Sequence, residues 1–443
     1  MATERENFGG RFAVIMALAG SAIGLGNIWR FPYMVGEYGG AAFILIYVLC
    51  AFFVSLPIML AESTIGRRSG SGPVGAFRKL APGSKWIVFG WLSAFAPLVI
   101  ISYYSVVGGW SVNFLGRSIA GGFLGLSAQQ ASSIFGQMTS SIWQPLVAHT
   151  VFIGLSALII LGGIRGGIEK FTKITMPILF VLIVLIAVYS MSLPGAKPGI
   201  DYLIHPDFSK IGPKTMSFAL GQSFFSMSLG VGTVLTYSSY MKKDSSLLET
   251  GSWTAIFDTL FAVIAGFAIM PAVFAAGMEP GAGPSLVFET LPYIFSNFST
   301  GSAVIGWIVT VMFFFTILIA ALTSEISMIE VCVCLIMEEK GYSRKRATLI
   351  ILLVTWFAGI FCSVFPRVFN FCDILTSNYL MTLGALMFSL FVGWRMKKED
   401  FKDEFTNSGK LKWSGRLFPF FYVLVKWVAP IFILVIFITG LIN

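Results

Sequence analysis

Eleven stretches of this chain are long, apolar and nearly free of charge, separated by short polar breaks. No feature limits the fold more. The hydrocarbon core of a bilayer offers the backbone no water, so a spanning segment must bond internally as a helix or close into a barrel. The apolar runs are continuous rather than alternating, which selects helices. Only 12% of residues are charged and mean hydropathy is +0.84, against about 25% charged in a soluble domain. The expectation is an all-α polytopic membrane protein. Its spans fall near 11–36, 41–66, 86–117, 145–162, 171–192, 215–240, 252–277, 302–337, 347–364, 374–396 and 417–441. The opening "MATERENFGG" does not read as a signal peptide.

Loop charge orients these spans. One alternate set of loops holds Arg5, Arg11, Arg67, Arg68, Arg78, Lys79, Lys85, Arg165, Lys170, Lys173, Lys242, Lys243, Lys340, Arg344, Lys345, Arg346 and the run from Arg395 to Arg416. The opposite set holds only Arg117, Lys197, Lys210, Lys214 and Arg367. Basic loops stay cytoplasmic, so the N-terminus is expected inside and, with an odd span count, Asn443 outside. Topology accounts for the formal charge of +9, and no nucleic-acid partner is required. The five cysteines lack metal-site spacing and read as small packing residues. His149 and His205 are isolated and support no metal site.

Two spans weaken themselves. The first contains "GSAIGLGNIWRFP" (20–32), with Gly20, Gly24 and Gly26 beside Asn27 and Arg30. The sixth contains "GQSFFSMSLGVGTVLTYSSY" (221–240). A glycine in a helix interior costs about 1 kcal/mol relative to alanine. Close helix packing also uses glycine. However, two interrupted spans separated by five point to two corresponding halves and a transport site where the breaks meet. The halves are expected at 1–192, with spans one to five, and 215–396, with spans six to ten, followed by span eleven at 417–441.

The motifs carry a resemblance as well. "SAIGLGNIWRFPY" followed by "GGAAF" (39–43) resembles the first-span signature of the neurotransmitter:sodium symporter family. So do "GQSFFSMSLG", "ALTSEIS" (321–327), "YSRKRA" (342–347) and "GGIRGGIEKFTKITMP" (162–177). The likeness runs over nearly the whole chain, and the short loops are similar to the bacterial amino-acid branch. It implies a LeuT-like fold, a 5+5 inverted repeat with broken first and sixth helices, in a bacterial inner membrane.

The resemblance also implies a site. One sodium would be held by Ala22, Asn27, Ser226 and position 258, and a second by Gly20, Ile23 and Ala320 carbonyls with Thr323 and Ser324 hydroxyls. Freed carbonyls suit a hard cation, and freed amides an anion. At 258 the family commonly has asparagine, whereas this chain has Asp258 in "AIFDTLF". A carboxylate there would supply negative charge permanently or exchange a proton, and either makes chloride dispensable. Monoamine carriers hold an aspartate where Gly24 stands, so the substrate is expected to bring its own carboxylate, met by Tyr104 and the amides near Leu25 and Gly26. Phe225 and Ser228 would meet the ammonium. Ser21, Ser226, Ser324, Ile100, Val231 and Met328 complete a pocket for larger hydrophobic or aromatic amino acids such as tyrosine. Such walls separate one methylene by only about 1–3 kcal/mol.

Arg30 is expected to pair with Asp373, in "FNFCDILTSNY", as an outer gate above Phe225. Arg5 with Glu338, braced by Tyr240 and packed by Phe8, would form the inner one. Gly167 and Pro177 resemble a family spacing linked to local unwinding of the fifth span. Glu62, Glu325 and Glu330 have no assigned role at this level. The combined expectation is a sodium-driven symporter working by alternating access. A channel would need a continuous polar pore, and an intramembrane enzyme would need a nucleophile with a base or a metal cluster. Neither pattern is present. A sensor that binds without transporting would show no accumulation.

Overall fold

The computed structural model describes residues 6–278, 286–297 and 302–442, and their regular structure is helical. Among them nine continuous helices have the length and apolarity of a membrane crossing. The first span makes a tenth only as a bent pair, Arg11–Ala22 and Gly26–Glu37, inclined at 50°. The sixth span is divided into Pro213–Ser226 and Thr233–Ser238. Neither piece alone is long enough to cross, so among the described residues the count is nine unbroken helices, or ten with the bent first span, rather than eleven.

Both breaks follow from local chemistry. In the first span the helix stops after Ala22 because Ile23 turns extended, at φ −75° and ψ 102°. It resumes through a wide turn at Gly26–Arg30, and Pro32 then sits in the first turn of Phe31–Glu37. In the sixth span Ser228, Gly230 and Gly232 all take positive φ, at +51°, +85° and +72°. A serine rarely adopts that conformation. Here its hydroxyl donates to the Ser21 carbonyl at 2.9 Å, tying one break to the other. Gly230 is required by space, since a Cβ would lie 2.0 Å from the Met381 carbonyl oxygen of the tenth span.

The remaining spans surround this pair. The third (Ile87–Ile119) and eighth (Ala303–Lys340) are the longest helices. The eighth brings Thr323 and Ser324 against the first. The tenth begins earlier than expected, because Pro366 starts a helix that continues to Arg395; proline is suited to a first helical turn. Polar loops fold into short helices that hydropathy does not reveal: Pro73–Leu80, Ala128–Ser140, Lys197–Ile204 and Lys398–Thr406. Large apolar side chains such as Leu158, Val181 and Leu353 face outward, as a lipid-exposed surface requires.

Candidate functional site at the crossing of the broken spans

Asn27 lies fully buried beside the first break. Its side-chain amide donates to the Ser226 hydroxyl at 2.9 Å and to Asp258 Oδ1 at 2.8 Å, while its oxygen accepts from the Gly24 N–H at 3.1 Å. Ser226 in turn donates to Asp258, within 2.8 and 2.9 Å of its two oxygens. Three of the four residues read as one sodium set therefore form a single buried cluster, next to Ala22, where the first helix ends. All its acceptors are hard oxygens, which fit an alkali cation. For Asn27 to coordinate one, its amide oxygen has to turn toward Asp258 in place of the NH₂.

Tyr47 completes this cluster, and sequence reasoning missed it. Its hydroxyl donates to Asp258 Oδ2 at 3.1 Å and to Ser226 at 3.2 Å. The available signal was a tyrosine in the middle of the second span, since a buried phenol needs a partner. Gln222 was missed too; its amide donates to the Gly26 carbonyl at 2.9 Å across the two breaks.

The second set gathers where the first span meets the eighth. Thr323 donates to the Ala320 carbonyl at 2.9 Å and approaches the Ile23 carbonyl at 3.4 Å. Ser324 donates to the Ser21 carbonyl at 3.3 Å. A Cβ on Gly20 would come within 3.4 Å of Thr323. The bond to Ala320 is the ordinary threonine contact with its own helix, whereas the approach to Ile23 crosses between spans.

Gly24 is tightly enclosed. A Cβ there would meet the Ser324 hydroxyl at 2.3 Å and the Tyr104 hydroxyl at 3.2 Å. Tyr104 OH also lies 3.5 Å from the Leu25 N–H. Above them opens a cavity of about 440 Å³ whose lining includes Leu25, Tyr104, Phe225, Arg30 and Asp373. Gly26 backs onto the Phe225 ring, at 2.9 Å from a built Cβ. Ile100, Val231 and Met328 are buried and do not contribute to the lining of this cavity. Ser21 is spoken for, since its hydroxyl bonds that of Ser327 at 2.8 Å.

The gate residues are arranged as follows. Arg30 stands over the Phe225 ring at 4.8 Å, a cation–π contact. Among the described residues no ion pair joins it to Asp373, which accepts instead from the Ser377 hydroxyl at 3.2 Å. Arg5 lies outside the described residues. Glu338 accepts from the Gly72 N–H at 2.9 Å. Tyr240 donates to Glu330 at 2.7 Å, and Arg344 holds the same carboxylate at 3.0 Å, which gives Glu330 a role that the sequence left open. Phe8 packs edge-on against Tyr237 and Tyr240. The fifth span is wound from Ile164 through Ser192, so the Gly167–Pro177 segment is helical in this conformation.

Two interrupted helices crossing at a buried cluster of oxygens, beneath a vestibule holding one cation and one carboxylate, define the class as an ion-coupled membrane carrier. The comparisons agree. The sequence model of the sodium:neurotransmitter symporter family matches residues 5–132 and 120–443. An uncharacterised sodium-dependent transporter of Bacillus subtilis, YhdH, is 35% identical, covering 97% of this chain and 96% of that one. The sodium-dependent serotonin transporter of Drosophila melanogaster is 25% identical, covering 99% of this chain and 77% of the relative. The crystal structure of MhsT in complex with L-phenylalanine superposes with a TM-score of 0.89 at 38% identity, covering 98% of this chain and all of that one. The chain belongs to the sodium:neurotransmitter symporter family. It is a sodium-dependent secondary transporter with a LeuT-like fold, and not an enzyme.

Proposed function

We propose that this protein imports hydrophobic or aromatic amino acids, tyrosine among them, together with sodium and without chloride. The observation that carries the reading is the space at Gly24. With Ser324 and Tyr104 crowding the position, a small zwitterion that supplies its own carboxylate is favoured over an amine lacking one. L-Phenylalanine in the MhsT complex supports a substrate of the same chemistry. Two sodium ions would be carried. One would lie among Ala22, Asn27, Ser226 and Asp258 with the substrate carboxylate, and the other among Gly20, Ile23, Ala320, Thr323 and Ser324. Asp258 supplies the negative charge that an anion would otherwise provide. Each sodium contributes about 2.3 kcal/mol of drive per 100 mV.

In this reading the chain has eleven spans, divided at 1–192, 215–396 and 417–441, with a cytoplasmic N-terminus in a bacterial inner membrane. Arg30 and Asp373 close above Phe225 once substrate is bound; Arg5 and Glu338, with Tyr240, close the inner side. The test is uptake of radiolabelled tyrosine and phenylalanine into proteoliposomes under an imposed sodium gradient, with gluconate replacing chloride and monoamines as competitors. Accumulation that needs sodium and ignores chloride is expected. Binding without accumulation would reassign the protein as a sensor, and stronger competition by monoamines would overturn the Gly24 argument.

A further inference from the structure

The last span carries a single charge. Between Leu417 and Asn443 only Lys426 is charged, and a lysine inside a span is costly enough to call for a partner. Its ammonium lies among three rings, 4.9 Å from the centre of Trp394, 5.6 Å from Tyr422 and 5.8 Å from Trp427. Lys398, at the start of the loop helix Lys398–Thr406, reaches the same Tyr422 ring at 5.1 Å. Two cations therefore share one phenol. The tenth and eleventh spans approach closely here. A Cβ on Gly393 would lie 2.8 Å from Lys426 Cα, and the Trp394 indole donates to the Lys426 carbonyl at 3.0 Å.

Among the described residues no carboxylate ion-pairs with either lysine. The loop helix carries four, and three of them, Asp400, Asp403 and Glu404, pair with Arg67 or Arg68 of the second span. The fourth, Glu399, is exposed. The helix thus turns its acidic side to the protein and leaves two positive charges beside the eleventh span. That place faces lipid. Trp394 and Trp427 meet edge to face at 4.5 Å and are about half exposed, as are Phe420 and Val423. Arg395 ends the tenth span directly after Trp394. The rings therefore stand at the bilayer–water boundary, where tryptophan and tyrosine collect.

We propose that this corner of the tenth and eleventh spans is a binding site for one anionic phospholipid. Lys398 and Lys426, gathered at Tyr422, hold its phosphodiester, and the exposed faces of Trp394 and Trp427 seat the glycerol and the upper acyl chains. Basic pockets between spans suit acidic headgroups in this way. A zwitterionic headgroup brings its own ammonium to a place that already holds two, so it is disfavoured.

Such a lipid has a structural consequence. Arg68 already ties the loop helix to the second span through Asp400. A phosphate shared by Lys398 and Lys426 ties the same helix to the eleventh, so occupancy stabilises the folded protein, as any ligand bound only to the native state does.

The experiment uses the full-length protein in detergent, titrated with phosphatidylglycerol or with phosphatidylcholine of the same acyl chains. Native mass spectrometry counts retained lipids, and thermal unfolding is followed in parallel. One phosphatidylglycerol should be retained, and should raise the melting temperature, at concentrations where phosphatidylcholine does neither. The double variant Lys398→Gln with Lys426→Gln should bind it about tenfold more weakly or worse. Arginine at both positions should restore binding. Lys410→Gln with Lys412→Gln, which removes the same charge elsewhere on the loop, should leave it unchanged. Equal retention of the two lipids would overturn the headgroup reading. Equal weakening in both glutamine pairs would replace the site with a general attraction to the basic face. A wild-type measurement stands apart from the folding of any variant: phosphatidylglycerol with a photoactivatable acyl chain should label peptides spanning 391–398 and 420–428. Labelling confined to other spans would overturn the site.

Discussion

The backbone N–H of Gly230 donates to a carboxylate oxygen of Glu62 at 2.7 Å, deep inside the protein. Gly230 is in the unwound stretch of the sixth span, where the helix no longer supplies its amides with partners. The second span therefore provides what the sixth gave up by breaking. A buried ionisable side chain in a span is expensive and marks function; here the carboxyl group supplies the acceptor that holds open the segment framing the site.

Replacing Glu62 with alanine should destabilise the protein by about 1–3 kcal/mol, the penalty for leaving a buried donor unsatisfied. Glu62→Gln, which keeps an acceptor, should lose less. Thermal unfolding of the purified variants in detergent checks both. Equal melting temperatures for wild type and Glu62→Ala would show that the amide finds water or another partner.

Gly24→Ala tests the space reading. The added methyl must displace the Ser324 hydroxyl, 2.3 Å away in this arrangement, and press on Tyr104. Amino-acid affinity should fall by about tenfold or more, equivalent to about 1.4 kcal/mol, while the folded fraction stays near wild type. Equilibrium binding of labelled phenylalanine at saturating sodium gives the comparison. An unchanged Kd would mean that the carboxylate does not sit where Gly24, Tyr104 and Ser324 converge.

Asp258 accepts from Asn27, Ser226 and Tyr47 at once. Asp258→Asn removes its negative charge and keeps the size, and it turns one of the two accepting oxygens into a donor. The sodium concentration for half-maximal uptake should rise by about tenfold, and uptake should begin to respond to chloride. Tyr47→Phe deletes one donor and leaves the charge, so its sodium dependence should shift less. If Asp258→Asn retained wild-type sodium affinity and remained indifferent to chloride, the charge would have no part in ion binding.

How far the sequence carried depends on what each feature needed. The spans were legible because hydropathy acts over many residues, and the breaks because glycine and an isolated serine motif mark them. Asn27, Ser226 and Asp258 were grouped by the resemblance of their motifs to the symporter family; nothing in their spacing alone brings three different spans together. Tyr47 and Gln222 were missed because their roles arise only when spans distant in sequence come into contact. The same holds for Glu62 and Glu330, whose partners are a freed amide on the sixth span and the Tyr240–Arg344 pair. Loop helices such as Lys398–Thr406 escaped because they are short and highly charged: two buried phenylalanines one turn apart, Phe401 and Phe405, and an ion pair to Arg68 hold this one without an apolar run.

That loop helix supports a last prediction. Arg67, nearly fully buried at the C-terminal end of the second span, bonds the Glu404 carboxylate and the Glu404 carbonyl, each at 2.6 Å, and also the Ser245 carbonyl. The two substitutions that break this pair are not equivalent. Arg67→Ala removes the donor to three acceptors at once, and only Arg68, at 3.6 Å, remains near the stranded carboxylate. Breaking a buried pair in this way costs about 3–5 kcal/mol. Glu404→Ala leaves Arg67 with both backbone carbonyls and should be clearly milder. The order of melting temperatures should be wild type, then Glu404→Ala, then Arg67→Ala. A reversed order would mean that the carboxylate, not the guanidinium, organises the contact between the tenth–eleventh loop and the second span.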